Sequence, residues 1–122
     1  MSTIKYLLDE NVDESLRKGL SLHAPGIVVW RIGDPMTPAG GTPDPGILLW
    51  CEANSFALVT NNRESMPVHL RDHLDAGRHC PGILTLSASM TLRETIEELA
   101  LIWGAADAEE FANQIVYLPV RV

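Results

Sequence analysis

The sequence predicts an α/β fold in three layers, with a central, mostly parallel sheet of about five strands flanked by helices. Short apolar segments alternate with helical patterns along the chain, and turn-forming or polar residues separate them. A length of 122 residues fits a single domain with one core, spanning residues 1–122. The alternation favours strands joined by crossover helices, because parallel neighbours need such connections.

The predicted strands cover residues 4–8, 27–31, 56–59, 82–86 and 115–118. Ligands of open parallel sheets bind beyond the carboxyl ends of the strands. The residues that follow each predicted strand are therefore the first candidates for a functional site. They are Asp9 and Glu10, Gly33 and Asp34, residues 60–64, and Ser87.

The first two predicted helices have recognisable starts. Asn11 and Glu14 have the spacing of a capping box, and Val12, Leu16 and Leu20 recur every four residues, which gives the first helix an apolar face. A loop rich in proline and glycine, residues 32–46, precedes the second helix. We expect that helix to begin near residue 42 or 44 and to end near residue 54.

The last two predicted helices also have recognisable start signals. Pro67 suits the first turn of a third helix, which should bury Leu70 and Leu74. Thr91 and Glu94 have the spacing of a second capping box and open the fourth helix. Its predicted apolar face comprises Leu92, Ile96, Leu99 and Ile102 or Trp103. Residues 104–111 are compatible with a further helical turn.

Composition limits the classes of function. A net charge of −7 argues against a broad basic surface for nucleic acid, although residues 63–80 contain three arginines and three of the four histidines. No apolar run approaches the roughly 20 residues of a membrane span, and the N-terminus lacks a signal-peptide pattern. Two cysteines make no disulfide framework. We therefore expect a cytoplasmic protein with no membrane partner.

Two carboxylates, Asp9 and Glu10, directly follow the first predicted strand. Adjacent like charges repel each other, and a divalent cation or a cationic partner relieves that repulsion. Successive side chains of an extended strand diverge, so we expect one carboxylate, that of Asp9, to act as the ligand. The alternative is that the acids and the following Asn11 only cap the first helix.

Asp44 and the residues after the third strand complete the acidic constellation. Asp44 either binds a cation or caps the second helix, with Pro45 at the first helical position. Thr60 and Asn62 offer neutral oxygens to a cation or to its waters, and Glu64 is the only acid nearby. The alternative here is a polar turn in which asparagine side chains bond the local backbone.

Three motifs resemble the small bacterial PIN-like domain family, which is related to the toxin nucleases of VapBC-type toxin–antitoxin pairs. They are YLLDENV near the N-terminus, the helix start xPDxxIL, and ALVTNNRE around the end of the third strand. The resemblance extends from about residue 5 to about residue 103 and implies a PIN-like fold whose acidic pocket binds Mg²⁺ or Mn²⁺ and hydrolyses RNA. It also implies an antitoxin-type protein partner and a homodimer.

The family pattern is LLDEN, then an acid that opens the helix after the second strand, then VTxDxDF. Asp9 and Glu10 match the first motif and Asp44 matches the second, but Asn62 stands where the family usually has Asp. Glu64 stands where a second Asp is common. Because the exchange at position 62 removes a negative charge, the resemblance implies weak metal binding and an activity that is low, of one-metal character, or absent.

Two hypotheses therefore stand. In the first, the chain is a metal-dependent ribonuclease in which Asp9, Asp44 and Glu64 are catalytic, and Asp9, Glu10 and Asp44 hold the metal. In the second, it is a PIN-like module without catalysis that binds a protein partner or RNA through the same cleft. The supporting residues of the first hypothesis are Asn11, Thr60 and Asn62 around the metal ligands, and Arg63 for the substrate.

Two further alternatives have less support. His69 and His73 are four residues apart on a predicted helix, which is the spacing of a zinc-binding pair, but no clear second pair accompanies them. A phospho-receiver domain also carries acids after its first strand. This chain has no lysine after its last strand, and it has Asn61 and Asn62 in place of an acceptor aspartate.

Overall fold

The computed structural model describes residues 3–120 and confirms the predicted three-layer α/β fold. Within these residues a sheet of five parallel strands has the order β2-β1-β3-β4-β5. The strands are β1 (Tyr6–Leu8), β2 (Val29–Arg31), β3 (Ala57–Thr60), β4 (Ile83–Thr85) and β5 (Ile115–Tyr117). The helices are α1 (Glu14–His23), α2 (Asp44–Asn54), α3 (Met66–Asp75) and α4 (Leu92–Ala105).

Two hydrophobic layers cover the two faces of the sheet. Successive strand residues point to opposite faces, so Tyr6 and Leu8 enter a first layer with α1 and α4, while Leu7 enters a second layer with α2 and α3. All three residues are completely buried. This double burial explains why the strands read as continuous apolar segments and do not alternate with polar residues.

The fourth connection of the sheet differs in hand from the other three. The β3–α3–β4 and β4–α4–β5 connections run in the same direction across the sheet, yet α3 packs on the second face and α4 packs beside α1 on the first. The β1–α1–β2 and β2–α2–β3 connections have the hand of β3–α3–β4. Since such connections are right-handed in nearly all proteins, the one through α4 is the exception.

The start of α1 corrects one prediction. Asn11 and Glu14 do not form a capping box; the N-cap is Asp13, whose carboxylate accepts a hydrogen bond from the backbone N–H of Ser15. The reason is that the chain first makes a turn after β1, closed by a bond from the Val12 N–H to the Asp9 carbonyl. The predicted apolar face is confirmed, with Val12, Leu16 and Leu20 buried.

The capping box of Thr91 and Glu94 at the start of α4 is confirmed in both of its hydrogen bonds. Two predictions for this region were wrong. Leu92 is 46% exposed because it occupies the first helical position, where it lines an open surface groove beside Gly19 and Leu22 of α1. Residues 106–113 form bends and turns and no further helix. No helix between residues 3 and 120 is long and apolar enough to cross a membrane.

Candidate site at the carboxyl ends of the first and third strands

The sheet order creates a switch point between β1 and β3. These strands are neighbours, but the chain leaves β1 for β2 on one side and leaves β3 for β4 on the other. Ligands of doubly wound sheets bind in the crevice that opens at such a point. Asp9 follows β1 directly and Thr60 ends β3, so both residues lie at this crevice.

Asp9 is buried and its carboxylate is bonded by the protein. Asp9 is only 6% exposed. Its Oδ1 accepts a hydrogen bond from the backbone N–H of Glu10 at 2.8 Å, and its Oδ2 accepts one from the hydroxyl of Thr60, also at 2.8 Å. Among residues 3–120, only one backbone amide therefore bonds this carboxylate, so helix capping alone does not explain the position of Asp9.

Asn62 connects the two predicted carboxylates. Its backbone N–H donates to the hydroxyl of Thr60 at 3.1 Å, and Thr60 in turn donates to Asp9. Its side-chain Nδ2 donates to Oδ2 of Asp44 at 3.0 Å and to the hydroxyl of Ser65 at 2.7 Å. Carboxylates that lie far apart in the sequence are thus joined through one loop.

The capping interpretation of Asp44 was wrong. Pro43 is the N-cap of α2 and Asp44 is the first helical residue, with Pro45 in the second position. The Asp44 carboxylate turns toward the β3–α3 loop, where it accepts the bond from Asn62. Its Oδ1 has no protein hydrogen-bond partner among the described residues. The residue therefore presents one bonded and one open oxygen.

His69 is a member of the site that sequence reasoning missed in this role. Its Nε2 lies 3.5 Å from the same Oδ2 of Asp44. The sequence marked it only as half of a zinc pair with His73, but His73 points into the protein, where its Nε2 lies 2.9 Å from Glu52 and from the carbonyl of His79. The two histidines therefore do not point to one metal position, because His69 lies beside Asp44 whereas His73 lies beside Glu52.

Glu10 diverges from Asp9, as expected for adjacent residues at a strand end. Its Oε1 accepts a hydrogen bond from the backbone N–H of Gly41 at 2.9 Å. A Cβ at the neighbouring Gly40 would lie 3.3 Å from Oε2, so the loop approaches this carboxylate closely. The Glu10 side chain therefore holds the proline- and glycine-rich loop, and only the backbone N–H of Glu10 bonds Asp9.

The remaining predicted residues lie at the margin of the network. Glu64 is exposed and has no hydrogen bond or ion pair within the part of the chain that the structure describes. Arg63 is also exposed, and its guanidinium lies 5.0 Å from the ring centre of Tyr117. The carbonyl of Asn11 accepts a bond from the side chain of Asn61 at 3.3 Å. Of these residues, none contacts Asp9 or Asp44 through a described hydrogen bond.

Asp34, after β2, has a structural partner. The guanidinium of Arg17 binds both of its carboxylate oxygens, one of them at 3.2 Å, and the backbone N–H of Arg31 donates to it at 2.8 Å. Partial burial opposes ionisation of Asp34, but these bonds outweigh it and hold the pKa of the carboxyl below its ordinary value. Asp34 thus fixes the end of β2 against α1.

The donor set of the site suits a hard divalent cation. Magnesium is commonly held by one or two carboxylates together with waters, and an ionised carboxylate that accepts one bond per oxygen keeps further lone pairs. Asp9 and Asp44 supply such oxygens. Within residues 3–120, no three His, Cys, Asp or Glu side chains come together as a metal-binding group.

Comparison of this chain with protein-family models, with curated proteins and with solved structures finds no match.

Proposed function

We propose that this chain is a PIN-like ribonuclease that depends on Mg²⁺ or Mn²⁺ and whose activity is weakened by Asn62. The observation that carries the proposal is the connection of Asp9 to Asp44 through Thr60 and Asn62 at the sheet's switch point. One or two carboxylates are what a magnesium ion commonly takes from a protein. The resemblance of the three sequence motifs to the PIN-like family supports the same conclusion.

When bound, such a cation would supply Lewis-acid chemistry for phosphodiester hydrolysis, by activating a water and stabilising the leaving oxygen. Asp9 and Asp44 would hold the cation. Thr60 fixes the orientation of Asp9 by donating to its Oδ2, and Asn62 fixes Asp44 in the same manner. Arg63, exposed beside the loop, is available to contact an RNA phosphate.

A second candidate function is favoured by a specific observation. The Asn62 amide donates to Asp44 where a family member would place a carboxylate against the cation. A site stabilised in this way without metal suits a binding module, which takes a cationic side chain of a protein partner or an RNA segment through the same cleft. In either case we place the protein in the cytoplasm, since both described cysteines are free thiols.

The test is a titration with Mn²⁺ followed by an RNA cleavage assay on the wild type and on Asp9→Asn. We expect the substitution to weaken Mn²⁺ binding and to abolish cleavage, because it removes the charge of a buried ligand. Asp75→Asn is the matched control, since Asp75 is exposed on α3. Cleavage that persists unchanged in Asp9→Asn contradicts the proposed site.

The same samples separate the two candidate functions. Cleavage that depends on both Mn²⁺ and Asp9 supports the nuclease. RNA binding without cleavage at any Mn²⁺ concentration, weakened by Asp44→Asn, supports the binding module. Gel-shift measurements with the uncleaved RNA provide this second readout.

A further inference from the structure

The end of β2 lies against the turn that begins at Asp9. This turn spans residues 9–12 and is closed by the bond from the Val12 N–H to the Asp9 carbonyl, at 3.0 Å. Arg31 is the last residue of β2, and in the sheet it is paired with Leu8, the residue before Asp9. The Arg31 side chain therefore begins beside the point at which the chain leaves β1.

The guanidinium of Arg31 bonds two backbone carbonyls of this turn. Its Nη2 donates to the carbonyl of Glu10 at 2.6 Å, and its Nε donates to the carbonyl of Val12 at 3.4 Å. Glu10 is also the residue whose backbone N–H donates to Oδ1 of Asp9. One side chain from the neighbouring strand thus fixes the backbone that orients the Asp9 carboxylate.

The chemistry of arginine suits this role. Its guanidinium is planar and rigid and carries five N–H donors, so it can bond two acceptors at once, whereas the lysine ammonium is a point charge on a flexible stem. The group is also held from the side of α1, because Oε2 of Glu14 lies 3.5 Å from its Nε. The Arg31 side chain is only 29% exposed. Its position between α1 and the turn is therefore well defined.

We propose that Arg31 is a positioning residue, which holds the Asp9 carboxylate ready for a cation by fixing the turn after β1. The part of this inference that concerns the cation rests on the proposed function. Groups that orient metal ligands without touching the metal change metal affinity by about 10–100-fold when they are removed. Arg31 belongs to this class, because its bonds go to the backbone around Asp9 and its own positive charge excludes it as a ligand.

The charge of Arg31 and its hydrogen bonds affect cation binding in opposite directions. A nearby positive charge repels a cation, so loss of the charge alone would tighten Mn²⁺ binding. Loss of the two hydrogen bonds frees the turn and should weaken binding by about tenfold. Arg31→Met removes both the charge and the bonds and keeps an unbranched apolar stem, whereas Arg31→Lys keeps the charge and loses the planar group. We expect weaker binding in both variants.

Two measurements on the full chain test the proposal. Titrations followed by the electron paramagnetic resonance signal of free Mn²⁺ give the dissociation constant, which should rise about tenfold in both Arg31 variants. Amide hydrogen exchange followed by NMR without metal gives the protection of the Val12 N–H. We expect that protection to fall about tenfold in both variants, while the Leu58 N–H in β3 stays as protected as in the wild type.

Arg17→Met is the matched control. It also removes a guanidinium near α1, but the described bonds of Arg17 go to the carboxylates of Glu14 and Asp34 and not to the turn. We therefore expect this variant to lose stability without a rise in the Mn²⁺ dissociation constant and without faster exchange of Val12. Thermal melts followed by circular dichroism verify that each variant is folded at the temperature of the measurements.

The outcomes separate this proposal from the proposed function. Unchanged exchange of Val12 in Arg31→Met overturns the proposal, and so does Mn²⁺ binding that is unchanged or tighter in that variant. Wild-type values in Arg31→Lys, or an equal weakening in Arg17→Met, would assign the effect to charge and also overturn it. A wild type that binds no Mn²⁺ overturns the proposed function, and the exchange of Val12 then decides whether Arg31 holds the turn.

Discussion

The hydroxyl of Thr60 donates a hydrogen bond of 2.8 Å to Oδ2 of Asp9, across a sequence separation of 51 residues. Both residues are buried, with Thr60 fully enclosed and Asp9 6% exposed. The bond joins the ends of the two strands between which the sheet changes direction, so the position of the carboxylate depends on the register of β1 against β3. Loss of this bond should therefore change the free energy of unfolding as well as ligand binding by Asp9.

We expect Thr60→Val to lower the free energy of unfolding by about 1–3 kcal/mol, because it leaves a buried carboxylate oxygen without its donor. Valine keeps the shape of threonine, so packing changes little. Thr85→Val is the matched control: Thr85 is also buried at a strand end, but its hydroxyl makes only a 3.4 Å contact with a neutral carbonyl. Urea unfolding measures both. Equal losses of unfolding free energy in the two variants would show that the hydrogen bond from Thr60 to Asp9 contributes no specific stability.

Asn62→Asp should introduce a third carboxylate at the candidate site and make stability depend on metal. Without metal, a carboxylate replaces a donor 3.0 Å from Asp44 Oδ2, so repulsion should lower the melting temperature. With Mn²⁺ the variant should gain more stability than the wild type, because at a given concentration a ligand stabilises the folded state more when it binds that state more tightly. Differential scanning fluorimetry across Mn²⁺ concentrations measures the effect.

The neighbouring substitution Asn61→Asp is the control for this experiment. Asn61 is exposed, and its side chain donates only to the carbonyl of Asn11. We expect this variant to respond to Mn²⁺ like the wild type. A response at position 61 equal to that at position 62 would mean that added negative charge, and not the geometry around Asp44, attracts the ion.

Asp34→Asn should remove an acid-sensitive part of the stability. The pKa of Asp34 lies below its ordinary value, so its contribution is present above the unfolded-state pKa of about 3.9 and is lost as pH falls through the folded-state pKa. We expect the variant to lose about 1 kcal/mol at neutral pH, a reduced figure because the side chain is 25% exposed. The difference from the wild type should shrink below about pH 4. Urea unfolding at several pH values measures it.

Glu97→Gln provides the comparison for the Asp34 experiment. The pair between Glu97 and Arg93 is much more exposed, with 54% and 88% of the side chains accessible. Such pairs contribute little to stability. Two results would contradict the assignment of the acid-sensitive part of the stability to Asp34. One is a loss of unfolding free energy in Asp34→Asn that does not depend on pH, and the other is a loss of the same size in Glu97→Gln.

The order and type of the elements could be predicted from local signals. The Thr91 capping box and the apolar spacing of Val12, Leu16 and Leu20 are properties of neighbouring residues, and both are confirmed. The N-cap of α1 could not be predicted in this way. Asp9, Asn11 and Asp13 are all acceptable caps, and the turn after β1, which only the folded chain reveals, selects the last.

In the candidate site, too, some residues could be predicted from local sequence and others depend on tertiary packing. The sequence suggested Asp9, Asp44 and Asn62 as candidates, since strand ends and helix starts can be predicted from local pattern. It could not identify His69, because the approach of its imidazole to Asp44 depends on how α3 packs against α2. It also could not predict the face chosen by α4, because either hand of that connection satisfies the same apolar spacing.

The packing of α4 on the first face of the sheet limits which fragments of the chain could fold. The layer that covers β1 is completed by α4, and the Tyr6 hydroxyl donates to the Leu99 carbonyl at 2.8 Å, so the beginning of the chain is enclosed by residues near its end. A fragment that stops before α4 would leave this layer open to water. We therefore expect fragments that end before Leu99 not to fold stably, and we expect the folded chain to unfold in one cooperative transition.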